Sequence, residues 1–431
     1  MDKDKKINFV IAIILTGFMC SVCFHYIKGY YFHLPYPHNT FLFTPGDKFA
    51  DYFNILNWNK DLNPYFQNVA TAQYPLLNFL SYLLSLINRL ISFCLYNAVV
   101  ISLFCYLNAI ALDCKDKIQL YIRTFVFSFL TYPFLFTIDR GNFESLLCVF
   151  LMLFIYFYQQ KKYIVSTLFL AFAISMKLFP VFLVVLLIAE KKYRQLLFAI
   201  LFVAGITLLC LATFSGGLEA NLRMLISGAN LQNNSNVLSF TGNNTMVQRG
   251  VTLFTFCKVI FCQLDVINRI DMVRFLAFYK VVMLFFSCLL SFYVVFVEKE
   301  FWKRVAVLVF MMLLFPQISA DYKLIHIVIP LLLFINAVCD QKFDLFYTVM
   351  FSLLMIPKDY LLLYCVSSDA GTNDISIAVL LNPIIMIAMM AVIVITGIRR
   401  TSWPEILILL QEHLEKIGLQ RLYKNKSVHA S

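Results

Sequence analysis

The chain has 431 residues, 61% of them hydrophobic and only 14% charged, whereas soluble domains carry roughly 25% charged residues. With a mean hydropathy of +0.79, this balance excludes a soluble globular core and predicts an all-α polytopic integral membrane protein. The net charge of +11 does not indicate nucleic acid, because the lysines and arginines fall in short clusters between apolar runs, as in cytoplasmic loops.

Taken in order, MDKDKK precedes a long apolar run, Ile7–Ile27, with no small-residue cleavage site after it. It reads as a retained first helix over 8–27, with Lys3, Lys5 and Lys6 on the cytoplasmic side. Residues 28–74 are polar and aromatic and form a first outer loop, too long for a hairpin connection. Residues 75–92, broken by Asn78, Asn88 and Arg89, predict an interfacial or partly inserted helix leading into a span near 93–112. The span 120–138 then delivers Asp139–Glu144 to the outer face, and 143–158 returns to Lys161 and Lys162.

The next basic cluster, Lys191, Lys192 and Arg194, belongs on the same side, so residues 163–190 must enter and leave. A broken hairpin turning at Lys177–Pro180 meets that demand, with Lys177 in a cavity. Residues 195–213 cross outward to a second outer loop, 215–271, whose sequons at Asn233 and Asn243 read as chance in an Asn-rich run. Spans near 275–297, 304–318, 324–338, 344–364 and 376–398 follow, ending at Arg399 and Arg400. Residues 1–400 thus make one membrane domain of about 11–13 transmembrane helices. The basic tail 401–431 is amphipathic through Ile406, Leu410, Leu414, Ile417 and Leu422, and is expected along the inner membrane surface. No internal repeat of the transporter kind is visible.

Twelve cysteines sit mostly in apolar runs as small hydrophobes. Cys20 and Cys23 make a C-x-x-C inside the first span, without a second pair or histidine cluster to complete a metal or redox site. No cofactor and no metal ligand set is indicated.

This topology collects the unusual polar residues on the outer side. Asp47, Asp51 and Asp61 lie in the first loop with Asn63, Pro64, Tyr65, Tyr74 and Pro75. Arg140, Asn142 and Glu144 stand at a second mouth with Lys177 below, and Asp321 and Tyr322 at a third. Carboxylates facing Arg and Lys suit a general base acting beside an anion clamp: the base deprotonates a hydroxyl, and the cations stabilise a phosphate leaving group. With no P-loop or Gly-rich cradle, a phosphate carried on a lipid fits better than a nucleotide. Plainer roles stay open for each residue. Asp51 suits a capping or surface carboxylate, Arg140 a helix-face pair with Glu144, and Lys177 a snorkelling lysine. Asn63–Tyr65, Tyr74 and Pro75 suit turn-setting positions, and His326 a core histidine.

RGNFES at Arg140–Ser145 and KLFP at Lys177–Pro180 resemble the R-G-N-x-E and K-x-x-P elements of the GT-C superfamily of polyprenyl-phosphate-sugar-dependent glycosyltransferases. The likeness is to the bacterial GT87 type and, more distantly, the GPI mannosyltransferase I type. Asn63–Tyr65, Tyr74–Leu76 and Ser319–Tyr322 are similar to its loop motifs. The resemblance implies an inverting membrane transferase with its catalytic Asp in the first outer loop, Asp51 by position and Asp47 second. Arg140 and Lys177 would bind the donor phosphate. Asn142, Glu144, Tyr65, Tyr74, Asp321 and Tyr322 would be substrate-binding or structural. The expected donor is a polyprenyl-phosphate-linked sugar, a hexose such as mannose. The expected acceptor is a lipid-linked or envelope glycan, outside a bacterial cytoplasmic membrane. The chain departs from the pattern in reading YPL for a second proline and D-x-x-x-D for an adjacent acidic pair, which leaves a divalent metal open. Two other functions compete: an O-antigen polymerase or ligase, which would also have long outer loops, and a lipid-linked oligosaccharide flippase or transporter. The latter would string polar groups through the membrane instead of gathering them on one side.

Overall fold

Asp2 starts the first helix by accepting a hydrogen bond from the Lys5 backbone N–H at 2.7 Å, satisfying one of the unpaired donors at a helix start. In the computed structural model, which describes residues 1–42, 48–61, 64–67, 74–227, 250–338, 342–360, 362–364 and 374–417, this helix is α1, Lys3–Tyr30. Asp47, Asn63, both sequon asparagines and the tail beyond 417 lie outside the described residues.

Two short helices, α2 (Ala50–Asn59) and α3 (Pro64–Gln67), occupy the first loop. Pro75 opens α4 (Pro75–Ser85). The polar break expected within 75–92 is a helix start: the Asn88 side chain caps Leu90 and Ile91 at the head of α5 (Arg89–Leu112). The next span is bent by 54° between α6 (Lys117–Phe129) and α7 (Tyr132–Arg140), where Pro133 lacks the N–H needed to continue the helix. Then come α8 (Glu144–Gln159) and α9 (Tyr163–Met176).

The break expected at Lys177–Pro180 is present. Lys177 is extended (φ −154°, ψ 143°), and a 3₁₀ turn over Phe179–Leu183 leads into α10 (Val184–Ala189). After α11 (Tyr193–Thr213), the stretch read as a second outer loop holds two helices, α12 over residues 217–227 and α13 (Leu253–Gln263). The chain continues through α14 (Met272–Phe296), α15 (Phe301–Leu314), a 3₁₀ helix Asp321–Ile327, α16 (Val328–Asn336) and α17 (Asp344–Met355). A small antiparallel pair, β1 (Leu362–Tyr364) with β2 (Asp374–Ser376), precedes α18 (Ala378–Arg400) and α19 (Trp403–Ile417).

The fold is all-α and polytopic, apart from that short β pair. Among the described residues five helices, α1, α5, α11, α14 and α18, are long and apolar enough to cross a membrane, and the bent α6–α7 pair, taken as one span, makes a sixth. Exposure separates two kinds of apolar helix. On α14, Phe278, Val281, Leu284 and Phe285 are each 64–67% exposed, a ridge suited to lipid. On α15, every side chain from Val305 to Leu314 is fully buried, as expected of a helix that is apolar all round and serves as the central post.

The basic clusters meet at one end. There Arg123 pairs with Asp4 at 2.9 Å and Arg400 with Glu300 at 2.8 Å, and Lys191 reaches Glu412 on α19. At the start of α15, Trp302 packs on Phe334 and Tyr347, each at 5.0 Å, and those two rings lie 5.9 Å apart. Arg140, Glu144 and Lys177, where α7 ends, α8 begins and α9 ends, lie at the opposite end with Asp51.

Candidate active site

The site is built on the turn between α7 and α8. Gly141 closes α7 in the left-handed region (φ 63°), with the Gly141 N–H bonded to the Ile138 carbonyl and the Asn142 N–H to the Thr137 carbonyl, an ending that favours glycine. A side chain at Gly141 is also sterically barred, since a Cβ there would stand 2.8 Å from the Tyr52 Cβ. This close approach lets α2 lie on the turn. Tyr52 is fully buried, stacks on Phe143 at 5.6 Å and donates to Ser92 Oγ at 3.1 Å. The Phe49 N–H bonds the Asp139 carbonyl at 2.8 Å. Asp51, in the first turn of α2, is thereby aimed at the turn.

Asp51 receives Arg140 Nη2 at 2.6 Å on one carboxylate oxygen and Asn142 Nδ2 at 2.7 Å on the other. Burial pushes the Asp51 carboxyl above the ordinary aspartate range, outweighing the hydrogen bond from Asn142 and the nearby charge of Lys177. Lys177, freed from helical geometry by the break, donates to Glu144 Oε1 at 2.7 Å and lies 3.4 Å from Asn142 Oδ1. Glu144 and His326 are both fully buried, and His326 Nε2 sits 2.9 Å from Glu144 Oε2. Asn142 is the hinge of the group: its amide holds Asp51 while its carbonyl oxygen accepts from the Glu144 N–H at 3.0 Å and faces Lys177.

Asp51, Arg140, Asn142, Glu144, Lys177 and Tyr322 thus form one cluster, with the Tyr322 hydroxyl in electrostatic reach of Asp51, Glu144 and Arg140. The expected alternative pairing of Arg140 with Glu144 does not form, because Gly141 ends the helix between them and each takes a different partner. Tyr65 lies elsewhere, edge-on to Phe214 at 5.6 Å. Asp321 turns away from its neighbour Tyr322 into a second buried polar group, where Asn382 Nδ2 lies 3.4 Å from its Oδ1 and Lys358 is its charged neighbour. Tyr74 caps α4 and lines a cavity of about 680 Å³ that adjoins the cluster and shares Lys177 and Tyr322 with it. His326 is the buried histidine its apolar run suggests, but its place in the cluster is not legible there, and Lys323, on the cavity wall, is not among the candidates read from sequence. The partners of His326 are 182 residues away, and no local pattern marks them. Lys323 did carry a signal, as a cation following Asp321–Tyr322 at the head of an apolar run. Among the described residues, no three His, Cys, Asp or Glu side chains are grouped to hold a metal ion.

A helical bundle with ionised groups and a side cavity at one end defines a membrane protein with a functional site, not a helical anchor. The sequence model of glycosyltransferase family 87 matches residues 73–316, more than half of the chain, and the chain belongs to that family. It is a membrane glycosyltransferase, with a sugar donor and an acceptor as its substrates. The matched stretch includes Arg140–Glu144 and Lys177 but begins after Asp51 and ends before Asp321. No curated protein and no solved structure matches the chain.

Proposed function

We propose that this glycosyltransferase moves a hexose such as mannose from a polyprenyl-phosphate donor to a lipid-linked or envelope glycan, with inversion, on the outer face of a bacterial cytoplasmic membrane. The observation that carries the reading is Asp51, half-buried and held by Arg140 and Asn142, in one cluster with Lys177 and Tyr322, which line the adjoining cavity. A carboxylate has about four acceptor positions, so two hydrogen bonds orient Asp51 and leave it able to take a proton. Its burial makes it a stronger base than an ordinary aspartate.

In the proposed step, the acceptor hydroxyl oxygen attacks the anomeric carbon as Asp51 removes its proton. The bond from that carbon to the phosphate oxygen breaks, and its electron pair leaves with the polyprenyl phosphate. Attack opposite the departing phosphate inverts the anomeric centre. Lys177 and Arg140 supply positive charge towards the phosphate side, and Glu144 with His326 holds Lys177 in place. The gathering of basic clusters at the opposite end supports an outer-face site, because such clusters stay cytoplasmic.

The test offers purified protein a panel of undecaprenyl-phosphate sugars and nucleotide sugars with a glycolipid acceptor, and reads the anomeric configuration of the product by NMR. Transfer from a lipid-linked sugar with inversion is expected. Transfer from a nucleotide sugar alone, or retention, would contradict the proposal.

A further inference from the structure

The cavity beside the site has three walls of different character. One is the broken segment, with Lys177, Leu178 and Val181; the second is the flank of α14, with Lys280, Met283 and Leu284; the third is the run Phe315–Ile318 together with Tyr322 and Lys323. Leu178, Val181 and Leu284 are 42–66% exposed, and Leu284 belongs to the ridge on α14 described above. The cavity therefore opens sideways, through an apolar lip, towards lipid.

Its cations are not equivalent. Lys177 is committed to Glu144 at 2.7 Å. Lys323 has no carboxylate within 4 Å among the described residues, and neither does Lys280. The Lys323 amine makes a long hydrogen bond to the Ile318 carbonyl, 3.4 Å, and lies over the Phe179 ring at 4.6 Å. Cations at membrane depth are costly without an anion, and two such lysines line the cavity behind the apolar lip.

We propose that Lys323 and Lys280 join Lys177 in taking the phosphate of the lipid-linked donor, which enters sideways from the bilayer past α14. This rests on the lipid-phosphate reading above and adds a charge argument. The donor phosphodiester carries one negative charge. When the bond from the anomeric carbon to the phosphate oxygen breaks, the electron pair stays on that oxygen, and the leaving phosphate monoester approaches a charge of −1.5 to −2. Two lysines without carboxylate partners match that increase, so they stabilise the charge that develops in the reaction more than the charge already present in the substrate.

The experiment measures binding of sugar-free undecaprenyl phosphate, and of uncharged undecaprenol, to the full-length protein in detergent by native mass spectrometry. Wild type is expected to prefer the phosphate. Lys323→Gln and Lys280→Gln are each expected to weaken phosphate binding by about tenfold, the factor that 1.4 kcal/mol corresponds to, with undecaprenol unaffected and Lys323→Arg retaining binding. Lys280 is exposed on α14, so its variant reports on the ligand and not on folding. If wild type prefers the phosphate and both glutamine variants bind it as wild type does, the lysine assignment is overturned and the lipid-phosphate donor stands. If wild type does not distinguish phosphate from alcohol, both fall.

Discussion

At the end of the bundle where the basic clusters meet, ion pairs face water: the side chains of Arg400–Glu300 and Lys299–Glu405 are 34–63% exposed. At the other end, Glu144 and His326 are wholly buried and Lys177 is 18% exposed. Among the described residues at the first end, Lys6 and Asp344, 3.5 Å apart, are both buried and fasten the N-terminal helix to α17, while Arg123 and Lys303 are buried beside more exposed carboxylates. The contrast separates two uses of charge. Exposed pairs contribute little and are replaceable. Buried charges are costly to assemble and collapse if one partner is removed, so a cluster of them beside a cavity is worth its cost only where charge does chemistry.

The comparison breaks most sharply at Asp51. Asp51→Asn keeps the shape and removes the base, and steady-state transfer should fall by roughly 10²–10⁴-fold, while native mass spectrometry still detects bound undecaprenyl phosphate. Asp47→Asn is the control, expected near wild type. Next is Glu144→Gln, which strands Lys177 and His326. The expected loss is roughly 3–5 kcal/mol of stability, read as a lower melting temperature in detergent. Gly141→Ala forces a methyl against Tyr52 and a left-handed φ on alanine. A shift of α2 on the order of 1 Å would lower turnover by about 10²-fold, with donor binding retained. The smallest effect belongs to the other end: Arg400→Gln should change stability by no more than about 1 kcal/mol and leave transfer intact.

The parts of this molecule legible in sequence were those set by local chemistry. Pro180 and the charge on either side of residues 163–190 forecast the broken hairpin, and the apolar runs forecast the helices. Two readings stopped where the chain turned. Arg140 and Glu144 are four residues apart, the spacing of a helix-face pair, and only the left-handed Gly141 shows that they take separate partners. Asp321 and Tyr322 are adjacent, yet the 3₁₀ helix sends one into a second buried cluster and the other towards Asp51. The contacts that assemble the site join residues 89 and 182 apart, and no spacing rule reaches that far. The helices inside 215–271 were hidden because polar, Asn-rich sequence between them set the reading for the whole stretch.

The central claim is that Asp51 is the proton acceptor, and it is tested most directly in single turnovers with donor already bound, followed as a function of pH. A base must be ionised, so the rate should be lost as pH falls through the Asp51 pKa, and burial places that acid limb above the ordinary aspartate range. The account predicts that wild type shows this limb and that the residual rate of Asp51→Asn does not. The same acid limb in Asp51→Asn, at a rate near wild type, would contradict it.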